Sequence, residues 1–164
     1  MMNKIIEDIN DVDFSAFGRH LTVPFGRDPE IDTGYSHCWG AEYTLPLGEM
    51  RFGVENVEYR DSFVIPAMEQ HRETQEVVIP GNTDFVIALA LPRDINNHEE
   101  YPEYSDVRLF AIHPGDILVL NEHVWHTGCF PISGKEGHYF FMYKVRDELL
   151  YWRDIQNGEL KVRL

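Results

Sequence analysis

The sequence predicts a mostly β domain of the sandwich or barrel type. Three observations carry that expectation. Short runs rich in Val, Ile, Phe, Tyr and Thr recur along most of the chain, and Gly, Pro, Asn and Asp separate them. One run alternates apolar and polar residues, as a strand with one buried face does. Another is apolar throughout, as a strand buried on both faces would be. At 164 residues with 43% hydrophobic content, the chain fits one domain, residues 1–164, around one core.

Taken in order, residues 11–18 read as a short helix, with Asp11 or Asp13 as its cap and Gly18 as its end. Residues 24–34 carry Pro24, Gly26, Pro29 and Gly34 and read as a loop. Strands are expected at 41–45, 50–59, 75–79, 84–91, 107–112, 117–120 and 138–145. The 50–59 run is the alternating one, and 84–91 is the continuously apolar one. The polar segment 93–106, with Asn96, Asn97 and Pro102, reads as a long loop. Leu149, Trp152 and Ile155 recur at helical spacing, which predicts a short helix over 147–156. Asn157-Gly158 then turns the chain into a last strand at 160–164.

The formal net charge of −14 argues against binding nucleic acid, which needs Lys and Arg to neutralise phosphates, and against docking on anionic lipid. An acidic, solvated surface is the simpler reading. Met1 to Asn10 lack a basic end followed by an apolar run, and no apolar stretch approaches the ~20 residues of a membrane span. A cytoplasmic protein with two free thiols, Cys38 and Cys129, is expected.

Two groups of residues could carry chemistry. In Glu69-Gln70-His71-Arg72-Glu73-Thr74-Gln75-Glu76, Glu69 and His71 share a face if they lie in one strand. A hairpin-like bend through 72–75 would return Glu76 to His71. Carboxylate and imidazole converging on one face suit a divalent metal, or a general acid and base, and the spacing leaves both open. A solvated charged turn would account for the same residues. The second group runs from the tight turn His113-Pro114-Gly115-Asp116 through 117–120 to His123, Trp125 and His126. If 122–126 is a regular strand, His126 and Val124 share one face and Trp125 the other. His126 is then the inward candidate, Trp125 packs in the core and His123 lies in an exposed loop.

Together these groups resemble the two motifs of the cupin superfamily. His71 and Glu76 match the second histidine and the glutamate of G-x5-H-x-H-x3–4-E-x6-G. The eleven residues from Gly115 to His126 match G-x5-P-x-G-x2-H-x3-N. Glu69 stands where the first histidine belongs, Gly81 comes two residues before the closing glycine, and Asn121 and His123 replace a proline and a glycine. Within that superfamily the chain resembles the ureidoglycolate lyases. Phe14-Ser15-Ala16-Phe17-Gly18, Met68-Glu69-Gln70-His71 with Gln75-Glu76 and Ile79-Pro80, Asp84-Phe85-Val86, Val107-Arg108-Leu109-Phe110 and Val124-Trp125-His126 follow that family's blocks in order. Departures include Gln70 for an arginine, Glu76 for a glutamine and Thr127-Gly128 after Trp125-His126.

The resemblance implies a double-stranded β-helix, or jelly-roll barrel, with short flanking helices. It implies a lyase that splits ureidoglycolate into glyoxylate and urea, in purine and allantoin nitrogen catabolism. His126 or Glu76 would be the base and His71 its partner. Arg72, Arg108 and Lys144, with Glu69, are the candidate substrate-binding residues for a small carboxylate. Glu69, His71, Glu76 and His126 are the candidate ligands of a divalent metal. A homodimer is expected as a habit of the superfamily, with the N-terminal residues and 147–164 as contributors. The alternatives are a metal-dependent cupin sugar isomerase or dioxygenase, and a non-catalytic small-ligand binder.

Overall fold

The structure is a computed structural model. It describes residues 4–22, 28, 31–32, 37–38, 50–144 and 151–164, with the backbone alone at 31–32 and 37–38. The expected strand at 41–45 and most of the loop at 24–34 lie outside the described residues.

Sixteen strands are described. They are β1 (Ile6–Asp8), β2 (Gly18–Thr22), β3 (Ile31–Asp32), β4 (His37–Cys38), β5 (Met50–Glu58), β6 (Ser62–Ile65), β7 (Ala67–Gln70) and β8 (Glu76–Pro80). Then come β9 (Phe85–Ala90), β10 (Arg108–Ile112), β11 (Asp116–Leu120), β12 (Trp125–His126), β13 (Phe130–Pro131), β14 (Glu136–Lys144), β15 (Tyr151–Asp154) and β16 (Leu160–Arg163). Of two large sheets, one has the order β1-β10-β9-β12-β7-β15, with β13 also on β9, and the other the order β2-β11-β8-β14-β5; β6 pairs with β16 and β3 with β4 as two-stranded sheets.

Eight of these strands nest. The first pairs with the last (β5 with β14), the second with the seventh (β7 with β12), the third with the sixth (β8 with β11) and the fourth with the fifth (β9 with β10). All four pairings are antiparallel. This nested order is the jelly roll, and the cupin-type fold expected from the sequence is what the chain adopts. The two sheets face each other without closing into a continuous barrel.

The core explains why β9 is apolar at every position. Phe85, Ile87 and Leu89 point between the sheets and pack with Val78, Leu118, Leu120 and Phe110. Val86, Ala88 and Ala90 point the other way and pack with Trp125, Ile65, Leu160 and Val162. The antiparallel pair β6–β16 supplies that second apolar layer, so β9 is buried on both faces as expected.

Three expectations are corrected. Residues 11–18 do not form a helix. A 3-10 turn at Ile9–Asp11, capped by the Asp8 carboxylate on the Asn10 amide at 2.9 Å, is followed by a single turn closed by Phe17 N–H on the Phe14 carbonyl. Phe14 and Phe17 insert against Phe110, and Gly18 then begins β2 so close to β11 that a Cβ there would lie 2.0 Å from the Val119 carbonyl oxygen. Within 147–156, residues 147–150 lie outside the description, and Tyr151–Asp154 is a strand on the edge of β7. Pairing with an open sheet edge overrides the helical spacing there. The flanking helices are, among the described residues, two 3-10 turns of three residues, at Ile9–Asp11 and Tyr104–Asp106.

The 50–59 alternation is real, but its parity differs from the simple reading. Phe52 and Val54 face outward and are exposed, with Phe52 stacked on Phe140 at 5.8 Å. Glu55, itself exposed, and half-buried Val57 line the open pocket on the other face. No helix among the described residues is long and apolar enough to cross a membrane.

Candidate active site

The jelly roll brings the chemistry-bearing residues to the gap between its sheets. On one sheet, His126 of β12 lies in register with Glu69 of β7. On the other, Glu76 opens β8 in register with Tyr143 of β14, and Tyr139 of β14 is in register with Glu55 of β5. His71 follows β7 directly. The connection 71–75 is therefore a crossover between the sheets and not a hairpin, because β7 and β8 belong to different sheets. It still delivers Glu76 to His71, as the spacing suggested.

The four expected residues converge. Glu76 Oε2 lies 2.7 Å from His126 Nε2 and 3.2 Å from His71 Nε2, and Glu69 Oε1 lies 3.6 Å from His126 Nε2. The two imidazoles stack with centroids 5.2 Å apart, and Tyr143 stacks on the outer face of His71 at 4.8 Å. Glu69, His71 and His126 form a group whose ligand atoms all lie within 4.8 Å of one another. The site opens into a pocket of about 410 Å³, whose walls include Glu55, Tyr139, Phe141, Cys129, Gly128 and Trp152.

Local structure sets each side chain. His126 Nδ1 lies 2.9 Å from the Val124 carbonyl, which can only accept, so that nitrogen carries the proton and Nε2 faces the site. Gln70 turns away from the site and donates to the His123 carbonyl at 2.7 Å, while His123 N–H donates to the His71 carbonyl at 2.7 Å. These two bonds tie β7 to the turn before β12. His123 is a turn residue with φ 68°, half-buried rather than exposed, and Trp125 is fully buried as expected. The turn at 113–116 is built by Asp116, whose carboxylate accepts from His113 N–H at 2.7 Å, and by Gly115 at φ 102°.

The electrostatics follow from this packing. Burial disfavours a charged His126, but the charge and close contact of Glu76, with Glu69, outweigh it and push the imidazole up to about 9. Burial likewise disfavours a charged Glu76, and His126 and His71 outweigh it, taking the carboxyl down to about 2. Burial raises the Glu69 carboxyl, against the pull of His126 and with the push of Glu76. Burial also raises the Cys129 thiol, and with Cys129 and Glu55 beside it holds the Tyr139 phenol well above its usual range.

The donor set suits a divalent cation. It offers two imidazole nitrogens and carboxylate oxygens, one histidine oriented by a backbone carbonyl. His126 Nε2 and Glu76 Oε2 are buried, and despite their 2.7 Å separation neither makes an aligned hydrogen bond. Three carboxylates, Glu55, Glu69 and Glu76, face the pocket, and none of its described lining residues is Lys or Arg. A cation at Glu69, His71 and His126 answers the orphaned His126 nitrogen and offsets the adjacent charge of Glu69 and Glu76.

The expected carboxylate clamps do not line the pocket. Arg72 lies 3.8 Å over the Tyr151 ring and donates to Gln70 Oε1 at 2.7 Å and to the His98 carbonyl at 3.0 Å. Arg108 makes a two-pronged pair with Glu7 at 2.8 and 2.7 Å, pinning β1 to β10. Lys144 ends β14, where its backbone N–H donates to Thr74 Oγ1 at 3.0 Å. Conversely, the sequence reading missed Glu55, Tyr139 and Tyr143. The shift of apolar parity between Val54 and Val57 is the signal that could have placed Glu55 inside.

No protein-family model matches this chain, and no curated protein matches it in sequence. Solved structures overlap with its path. RmlC from Streptococcus suis, in complex with dTDP-D-xylose, is 8% identical over 62% of this chain and 46% of that one, with a TM-score of 0.41. Oxalate decarboxylase from Lactobacillus farciminis, a formate complex, is 9% identical over 65% and 26%, with a TM-score of 0.43. A dTDP sugar isomerase from Desulfovibrio desulfuricans G20 is 13% identical over 84% and 79%, with a TM-score of 0.45. This chain thus spans less than half the length of the first two. The fold assignment rests on strand order and register.

Proposed function

We propose that this chain is a metal-dependent lyase of the ureidoglycolate type, with Glu69, His71 and His126 as ligands of a divalent cation and Glu76 as the base. The observation that supports it is the meeting of these four side chains, from both sheets, with Glu69, His71 and Glu76 lining one small pocket and His126 buried against them. A bound divalent metal supplies a Lewis acid that offsets the substrate carboxylate and acidifies its hydroxyl. That charge matters here, because the described walls of the pocket contain no Lys or Arg.

The protein's own part is acid–base work. With His126 and His71 neutral, as ligation requires, Glu76 is relieved of the pull that holds its carboxyl low; it takes the proton of the substrate hydroxyl, the oxygen electron pair forms the carbonyl of glyoxylate, and the carbon–nitrogen bond breaks. The same proton then passes from Glu76 to the departing urea nitrogen, so Glu76 ends the cycle as it began. Tyr143 holds the His71 ring from behind.

A second reading, a neutral sugar-like substrate, is favoured by the aromatic walls Phe141, Tyr143 and Trp152. Glyoxylate release from ureidoglycolate, measured above spontaneous decay with and without chelator, separates the two. Release that chelator stops and Mn²⁺ restores supports the lyase; none in any arm leaves the sugar-like substrate.

A further inference from the structure

We propose that Glu55, held by Tyr139, is the specificity-determining residue of the pocket, and that it selects ligands carrying an N–H or O–H donor besides the group that meets the metal. This deepens the function proposed above and rests on it for the metal end of the ligand.

Glu55 sits within β5, in register with Tyr139 of β14, and both side chains line the pocket. The Tyr139 hydroxyl donates to one Glu55 oxygen. Because burial keeps that phenol protonated, its role as donor is fixed. A carboxylate offers about four lone-pair sites, and this bond uses one of them. Among the described residues Glu55 has no cation partner, although it faces a pocket that already holds Glu69 and Glu76. Its carboxylate, exposed at the pocket, keeps acceptor sites for whatever enters.

The space before Glu55 is kept open by Gly128. A Cβ there would lie 2.9 Å from the Tyr139 hydroxyl and 3.6 Å from a Glu55 oxygen. Any larger residue would stand between the carboxylate and the ligand. The pocket thus presents two unlike groups. Glu69, His71 and His126 take oxygen donors through a cation; Glu55 accepts hydrogen bonds and disfavours groups that cannot give them. An α-hydroxy acid bearing an amide or a second hydroxyl satisfies both. In ureidoglycolate the ureido N–H groups meet Glu55.

The test compares glycolate, which has no distal donor, with glycerate and ureidoglycolate, which have one, on the Mn²⁺-loaded protein. Wild type should bind the donor-bearing ligands at least about tenfold more tightly, the scale of a hydrogen bond to a charged group. Glu55→Met should erase that preference while Mn²⁺ affinity and glycolate binding stay within about twofold, which also shows that the variant is folded. Glu55→Gln, which keeps an acceptor oxygen, should restore part of it. A wild type without the preference, or a Glu55→Met protein that keeps it, overturns the inference. Equal loss for glycolate and glycerate also overturns it, since Glu55 would then act through the metal end. If glycerate shows the preference and ureidoglycolate is not cleaved, the lyase reading falls and the role of Glu55 stands.

Discussion

At the residue scale, the site is a division of labour among groups of similar chemistry. Glu76 and Glu69 are both carboxylates beside His126, yet Glu76 lies against both histidines at 2.7 and 3.2 Å while Glu69 stands off at 3.6 Å. The proposed function gives the proton to Glu76 and the metal to Glu69. Glu76→Gln keeps the size and removes the base. It is expected to lower kcat by about 10²–10⁴ in steady-state assays while metal content is unchanged. Loss of metal together with activity would instead make Glu76 a ligand. His126 and Glu76 were legible in the sequence because motif spacing survives when only a few residues are kept. Glu55 was not, because the register of β5 decides which parity faces inward, and that register is set by its partner β14 far along the chain.

At the element scale, strands that bury whole faces were readable, since β8, β9, β10 and β14 are rich in β-branched and aromatic residues. The short strands β7 and β12 were not, because each is defined by its neighbours rather than by its own pattern. The same tertiary override turned 151–154 from an expected helix into an edge strand. The pair β6–β16 is the layer behind β9, and Leu160 in it is fully buried. Leu160→Ala should cost about 2–5 kcal/mol in denaturant unfolding, as for other buried leucines. The edge strand β1 is held partly by charge. His113 lies 3.0 Å from Asp84 and 3.3 Å from Asp8 at the end of that strand. The hydrogen bond that His113 donates to Asp84, and the charges of Asp84 and Asp8, raise the imidazole above its usual 6.5. Its contribution is therefore complete below about pH 6.5 and fades as pH rises through the raised value. Asp8 is shifted down, chiefly by the Asn10 amide, from its usual 3.8, so its contribution holds above that and fades as pH falls through the lowered value. Hydrogen-exchange protection of Ile6–Asp8 should be greatest between about pH 4 and 6.5 and weaker at pH 8. His113→Gln should remove the difference between pH 6 and pH 8.

At the scale of the whole molecule, a jelly roll places the inward faces of two sheets around one pocket, so ligands from distant parts of the sequence meet without a long loop. The chain as a whole carries a formal net charge of −14. Self-repulsion on that scale is screened by salt, with a Debye length of about 10 Å at 0.1 M, so the melting temperature should rise between 0.01 and 0.2 M NaCl. A fall would mean that local ion pairs such as Arg108–Glu7 outweigh the overall charge. The central claim is that Glu69, His71 and His126 hold a divalent cation, and calorimetric titration of Mn²⁺ into chelator-stripped protein tests it most directly. The account predicts saturable binding of a single ion per chain, lost in His126→Gln and in Glu69→Gln. No saturable binding, or binding that both variants retain, would contradict it.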